Sequence, residues 1–254
     1  MPVLKRPRTL RSKLLALLSA LVAVAVLAFL AIYFLIFPTS SPKPFKLTST
    51  TASTTSAGPA AASTSASASA AASAGVSGSW AISSGSQAGY RVREQLAFLP
   101  AESDAVGRTS QISGSARLAQ SGADVVIRSA SFTVAVKTLK SDRSMRDEKI
   151  RSIGLESDRY PTATFALAAP LTLARSALDG HVAHVSAVGE LEIHGATRRV
   201  TIPLELTLSG STLQAAGALT FPWSEFAMTA PSVGGFVTVT GKATMEFDLR
   251  LVRA

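Results

Sequence analysis

From residue 242 to residue 251 the chain alternates without a break: Ala243, Met245, Phe247, Leu249 and Leu251 take turns with Lys242, Thr244, Glu246, Asp248 and Arg250. A strand points successive side chains to opposite faces, so a period of two means one buried and one wetted face. The same period runs through Phe132-Thr133-Val134-Ala135-Val136-Lys137 and through Ile202, Leu204, Leu206 and Leu208. Half-buried antiparallel strands are the natural reading. Further candidate strands are Tyr90 to Leu96, Ser110 to Leu118, Val125 to Arg128, Thr164 to Ala168, His184 to Ile193 and Gln214 to Phe221. Turn signals at Asp179-Gly180, His194-Gly195-Ala196-Thr197 and Ser209-Gly210-Ser211 separate several of them. A single short helix is expected over Ser144 to Arg151, capped by Ser141 or Asp142. Eight or so strands and one helical insert, in about 175 residues from Trp80 onward, predict one antiparallel all-β domain, barrel or sandwich.

Three of these strands carry small residues on their apolar face. Ala187 and Gly189 share a side with Leu191 and Ile193, Ala215 and Gly217 with Leu219 and Phe221, and Gly114 and Ala116 with Ile112 and Leu118. Two readings stay open: a lumen that admits a slender apolar ligand, or bulges and bends that close the sheet. Trp223, Phe226 and Met228, between Pro222 and Pro231, form either a plug for one end of a barrel or a gate around an apolar tail. Candidate lining positions are Phe132, Val134, Phe165, Leu191, Phe221, Trp223, Phe226 and Phe247.

The first 79 residues have a different character. Lys5, Arg6, Arg8, Arg11 and Lys13 precede an uncharged run from Leu14 to Phe37. As a helix that run reaches roughly 36 Å, enough for a hydrocarbon core of about 30 Å. It is longer than a secretory h-region, ends in Tyr33, Phe34 and Phe37, and has no Ala-x-Ala after it, which favours an uncleaved signal anchor over a cleaved signal peptide. The positive-inside rule then puts residues 1–13 in the cytoplasm and everything after residue 38 on the extracytoplasmic side of the cell membrane. Residues 38–79 follow, 42 positions of which 30 are Ser, Thr or Ala. Such a stretch buries too little to offset its ordering entropy and is expected to be a disordered tether with a coil span of roughly 30 to 40 Å. O-glycosylation suits this composition, whereas N-glycosylation is excluded because the chain has no Asn.

Charge and chemistry narrow the function. The formal charge of +9 divides into +7 (7 basic, 0 acidic) over residues 1–78 and +2 (18 basic, 16 acidic) over 79–254. The high pI therefore reports a topology signal and a tether, and no nucleic-acid partner is expected. With no Cys there is no disulfide, thiolate zinc site or cysteine nucleophile. His181 and His184 stand three apart, on opposite faces of a strand, so the default is solvated hairpin residues and no metal. His194 precedes a Gly in a tight turn and reads as a structural His. Asp147 and Glu148 diverge by about 100° on a helix, amid four basic neighbours, which suits surface ion pairs better than acid/base chemistry. No nucleophile elbow, phosphate loop or dinucleotide fingerprint occurs, so no enzyme and no cofactor is expected.

Longer motifs carry a resemblance. Ser144 to Arg151 followed by Arg159-Tyr160-Pro161-Thr162-Ala163-Thr164-Phe165, and then Gly189-Glu190-Leu191-Glu192-Ile193-His194-Gly195-Ala196-Thr197-Arg198-Arg199-Val200, are similar to signatures of the YceI-like family. Gly89 to Leu96 and Val106 to Ser110 resemble a form common in actinobacterial members. Two stretches depart from the family pattern, Gly154 to Asp158 and Pro222 to Met228, and both bear on the pocket mouth. The resemblance covers residues 80–254 and implies a lipocalin-like antiparallel barrel of about eight strands whose interior holds an isoprenoid chain, polyprenyl or quinone-type. The leading expectation is thus a tethered module that sequesters or carries an isoprenoid lipid. The alternative is an envelope or stress-response interaction protein with a packed barrel and no lipid. A hydrolase is a weaker third reading. Carrier, store and sensor are not distinguished, and a homodimer is compatible with the pattern without being required by it.

Overall fold

The computed structural model describes residues 22–27, 41–47, 75–97, 102–178, 180–233 and 237–254. Two units are distinguished, Met1–Ser41 and Pro42–Ala254. In the first, residues 22–27 are helical, and the rest of the expected span over 14–37 lies outside the described residues. No helix among the described residues is long and apolar enough to cross a membrane.

The second unit is an antiparallel barrel. Its strands are β1 (Gly78–Ile82), β2 (Gln87–Leu96), β3 (Ser103–Thr109), β4 (Ile112–Ser121), β5 (Asp124–Val134), β6 (Ala163–Leu167), β7 (Leu171–Ala174), β8 (Ala183–Ile193), β9 (Ala196–Ser209), β10 (Thr212–Phe221), β11 (Ser232–Val233) and β12 (Val237–Arg253). Eight of them run in the order β1-β4-β5-β6-β8-β9-β10-β12, and the pairing of β12 with β1, Trp80 opposite Arg253 and Ile82 opposite Leu251, closes the ring. Closure removes the sheet edges that a sandwich would leave exposed. The long β12 uses its other end to pair with β2, which carries β3 and extends the wall beyond β1.

Local sequence accounts for most of these elements. Ala243, Leu249 and Leu251 face inward and are buried, while Arg250 and Arg253 face water. Val125–Arg128 and Phe132–Lys137, which read as two strands, are largely one. β5 carries Val125 and Ile127 inward on odd positions, then Ala130, Phe132 and Val134 on even ones. The register shift opposite Arg117 and Leu118 inserts one residue and changes the phase. β3 has no bulky alternation because its inner positions Ala105 and Gly107 lie beneath larger neighbours.

The helix is Ser144–Lys149, extended by a π-turn over Ile150–Gly154. Its cap differs from the expectation: Arg143 occupies the N-cap position with no side-chain cap. Ser141 instead donates both its backbone N–H (2.8 Å) and its hydroxyl (2.7 Å) to Asp147 Oδ1, which anchors the first turn from two residues further out. The β8–β9 hairpin turns on His194 and Gly195, both at positive φ (54° and 70°), as a two-residue loop requires.

Two apolar clusters share the interior. Trp80, Leu118, Val125, Leu178, Leu213 and Leu251 belong to one. Val92, Leu191, Ile202, Phe221, Phe226 and Met228 belong to the other, with Leu204 and Phe247 touching both.

Candidate functional site

A cavity of about 180 Å³ lies between these clusters. Near one end its walls are Ala116, Ile127, Leu171, Leu213 and Leu251. The cavity stops there because Val76, Trp80 and Leu178, at 4%, 3% and 1% exposure, pack beyond these residues and seal the barrel. The Trp80 indole N–H donates to Val76 O at 2.9 Å, so the seal satisfies its own polar group. At the other end the walls are Val136, Leu139, Ile150 and Leu155 of the β5–β6 connection, residues 135–162, which carries the helix and is the helical insert, together with Trp223 and Met228.

The small residues make sense against this geometry. A Cβ on Gly189 would sit 2.3 Å from the Phe165 ring, and one on Gly217 would lie 2.8 Å from Phe247 Cζ and Leu204 Cδ2. These glycines therefore receive rings from neighbouring strands, which lie against the wall instead of crossing the lumen. The open lining is left to the alanines Ala116, Ala130, Ala187 and Ala215.

Phe132, Val134, Phe165, Leu191, Phe221, Trp223 and Phe247, singled out from the pattern, all line the cavity. Phe226 does not. It is 0% exposed and packs edge-on behind Phe221, with centroids 4.8 Å apart, so it supports the wall from outside the lumen. Its position at the end of the short turn Trp223–Phe226, followed by Ala227 at positive φ, swings it away from Trp223.

Polar groups gather at the insert end. The Tyr90 ring lies over Gly107, where a Cβ would meet it at 2.3 Å. Its hydroxyl is buried and meets no partner in hydrogen-bond geometry, although the Ser141 hydroxyl lies nearby. Burial pushes the Tyr90 phenol far above its ordinary value, so it stays an O–H donor. The Trp223 indole N–H is likewise buried without a partner. Arg146, from the helical insert, donates Nε (3.2 Å) and Nη2 to the Glu94 carboxylate and Nη1 to Asp142. Burial alone would lower the pKa of this guanidinium, and Glu94 with Asp142 more than offset it, so Arg146 stays charged and its charge is balanced.

Pattern alone did not point to Tyr90, Glu94 and Arg146 as site residues. Tyr90 stands out only once the register sets it opposite Gly107, and Glu94 meets Arg146 across 52 residues.

The three imidazoles are not brought together. His181 and His184 are exposed, and His194 sits at the β8–β9 turn against the Tyr160 ring (4.5 Å) with Nε2 3.3 Å from Glu156 Oε1. Glu148 pairs with Arg151 on the helix surface.

The YceI-like domain matches residues 80–251, most of the chain. The chain belongs to the YceI-like family. Among solved structures it is similar to a polyisoprenoid-binding domain from Saccharophagus degradans, at 14% identity and a TM-score of 0.50, covering 70% of this chain and 99% of that one. It is also similar to BcnA of Burkholderia cenocepacia (21% identity, TM-score 0.46, 65% and 95% covered) and to the YceI protein of Campylobacter jejuni (13%, 0.42, 57% and 83%). No curated protein matches the chain. At 14% identity the likeness to the Saccharophagus degradans domain shows the fold alone.

Proposed function

We propose that this YceI-like chain is a membrane-tethered, extracytoplasmic binding module that holds an isoprenoid lipid in its barrel. The apolar cavity carries the reading: it is sealed at the Trp80–Leu178 end and keeps its uncommitted polar hydrogens at the other. An amphiphile fits such a site in one orientation. The tail points toward Leu213 and Leu251, and the polar head stays at the helical insert. Burial of each methylene contributes about 0.8 kcal/mol, so a five-carbon prenyl unit is worth roughly 4 kcal/mol before ordering costs.

The head-group donors favour a neutral acceptor. Tyr90 O–H and Trp223 N–H both donate, whereas the charge of Arg146 is already met by two carboxylates. A carbonyl-bearing head, as on an isoprenoid quinone, satisfies both donors without stranding a charge. The basic, uncharged and Ser/Thr/Ala-rich segments of residues 1–79 support attachment to the outer side of a membrane. A carrier or a store both accord with this site.

Mass spectrometry of lipid extracted from the purified full-length protein, followed by reloading with polyprenols and isoprenoid quinones, tests the proposal. Recovery of a prenyl lipid with uptake near one per chain is expected. An empty protein that takes up neither class sinks it.

A further inference from the structure

The barrel's outer wall carries a second binding surface, unrelated to the lumen. Its occupant is the segment Pro42–Leu47, part of the stretch read from composition as tether. Arg91 Nη2 donates to Pro42 O at 2.7 Å and Arg108 Nη2 donates to Lys43 O at 2.6 Å. The Arg108 guanidinium also lies 3.9 Å over the Phe45 ring, a cation–π contact. Further along, the Leu47 N–H donates to Glu205 Oε2 at 2.7 Å. Phe45 and Leu47 are half-buried, while Pro42, Lys43, Pro44 and Lys46 face water, as expected of an extended segment laid on a surface.

The wall beneath is built for this. Glu246 alternates with the lumen-facing Met245 and Phe247 and so points outward, yet it is 2% exposed. It fixes both arginines, Arg91 Nε at 3.2 Å and Arg108 Nη2 at 2.8 Å, and Asp104 takes Arg91 Nη1 at 3.0 Å. The guanidinium donors that meet the segment are therefore held in place by two carboxylates, Glu246 on β12 and Asp104 on β3. Ala216, directly opposite Glu205, and Val106, directly opposite Arg91, also face outward and are 1% and 5% exposed. Burial on the outside of a barrel follows the line of the segment's contacts.

We infer that Pro42–Leu47 is a clasp that docks the tether onto the barrel wall. The chain returns to the barrel at Gly75, whose carbonyl accepts from Arg253 Nη1 at 2.9 Å, and at Ser77, whose hydroxyl accepts from Gln120 N at 2.8 Å. Leu47 and Gly75, the described residues on either side of 48–74, are thus both held on the same barrel. Between the uncharged run and the clasp remain only Pro38 to Ser41, at most about 14 Å of extended chain. This reach rests on the proposed anchor; the docking itself needs neither anchor nor ligand.

Trypsin reads the clasp in the full-length protein. Lys43 and Lys46 are the only basic residues between 38 and 79, and Pro44 shields the first, so Lys46–Leu47 is the one cleavable bond there. The fragment beginning at Leu47, followed by mass spectrometry in detergent, is expected to appear at least tenfold more slowly in the native chain than in Phe45→Ala or Glu205→Ala. Unchanged melting temperatures in both variants show that the barrel is intact. Equal cleavage rates in all three proteins overturn the clasp. Hydrogen exchange at the Leu47 amide provides the second measurement, with protection lost in Glu205→Ala, and full exchange in the native chain overturns the inference equally. In nanodiscs, deleting residues 50–70 leaves the barrel-to-bilayer energy-transfer distance unchanged. A shift there with protected Lys46 overturns the short reach alone, and failure to enter nanodiscs overturns the anchor without touching the clasp.

Discussion

Replacing Ala215 by Leu separates a lumen from a packed core. Ala215 lies on β10 opposite Leu206 of β9 and Leu249 of β12, is 9% exposed and lines the cavity. An isobutyl group in place of the methyl adds roughly three methylene equivalents and displaces a similar length of ligand chain, a loss of about 2.4 kcal/mol at about 0.8 kcal/mol each. Affinity for an isoprenoid quinone then falls roughly 50-fold. The ligand-free protein behaves oppositely, because the new side chain fills space that is empty: its melting temperature stays level or rises by about 2–4 °C per kcal/mol gained. Quenching of tryptophan fluorescence measures binding, since Trp223 lines the cavity and Trp80 does not, and calorimetry gives the melting temperature. The neighbouring outward substitution Gln214→Leu, which gives up the hydrogen bond to Asp248, leaves affinity within about twofold. Unchanged affinity in Ala215→Leu together with a melting temperature lowered by overpacking, which costs about 1–3 kcal/mol, would refute the reasoning.

Other perturbations probe the insert end and the turns. Tyr90→Phe removes a buried donor that has no partner, so the ligand-free protein gains about 1 kcal/mol in urea unfolding, while affinity for a carbonyl-headed lipid falls roughly fivefold and that for a plain prenyl hydrocarbon does not change. Arg146→Met strands the Glu94 carboxylate, whose side chain is 6% exposed, and lowers stability by about 3–5 kcal/mol; adding Glu94→Leu recovers most of this, and a double variant no better than the single contradicts the pairing. Gly195→Ala combines a φ of 70° with a Cβ 2.6 Å from the Tyr160 ring, so a loss of about 1–3 kcal/mol is expected by thermal unfolding, and a neutral result argues against the turn geometry. Leu178→Ala opens the sealed end at a residue 1% exposed, with a cost of about 2–5 kcal/mol and faster lipid release in a chase with empty vesicles.

The alternation over residues 242–251 is a local record of one wet and one dry face, which is why the inward positions of β12 were legible before any neighbour was known. The same holds for β9 and β10. It failed at β5, where one inserted residue changes phase and splits a single strand into two apparent ones, and at β3, whose inner residues are too small to give a signal. The YceI-like motifs at Tyr160–Phe165 and Gly189–Val200 brought the architecture within reach, because a tight turn and a buried ring demand particular residue types at fixed spacing.

Whether the interior is empty was beyond any strand taken singly. Gly189 alone reads equally as space or as a bend, and the answer lies in Phe165, which the β6–β8 register lays against it. Phe226 belongs by type with Trp223, and only the turn between them sends one to the lumen and the other behind Phe221. Pro42–Leu47 has the composition of a spacer, and only Arg91, Arg108 and Glu205, far away in sequence, make it part of the wall. Periodicity is a property of one segment in contact with solvent, so the sequence by itself determined which faces are dry. Cavities, stranded donors and docked segments are properties of side chains meeting across strands, and these the tertiary structure alone decided.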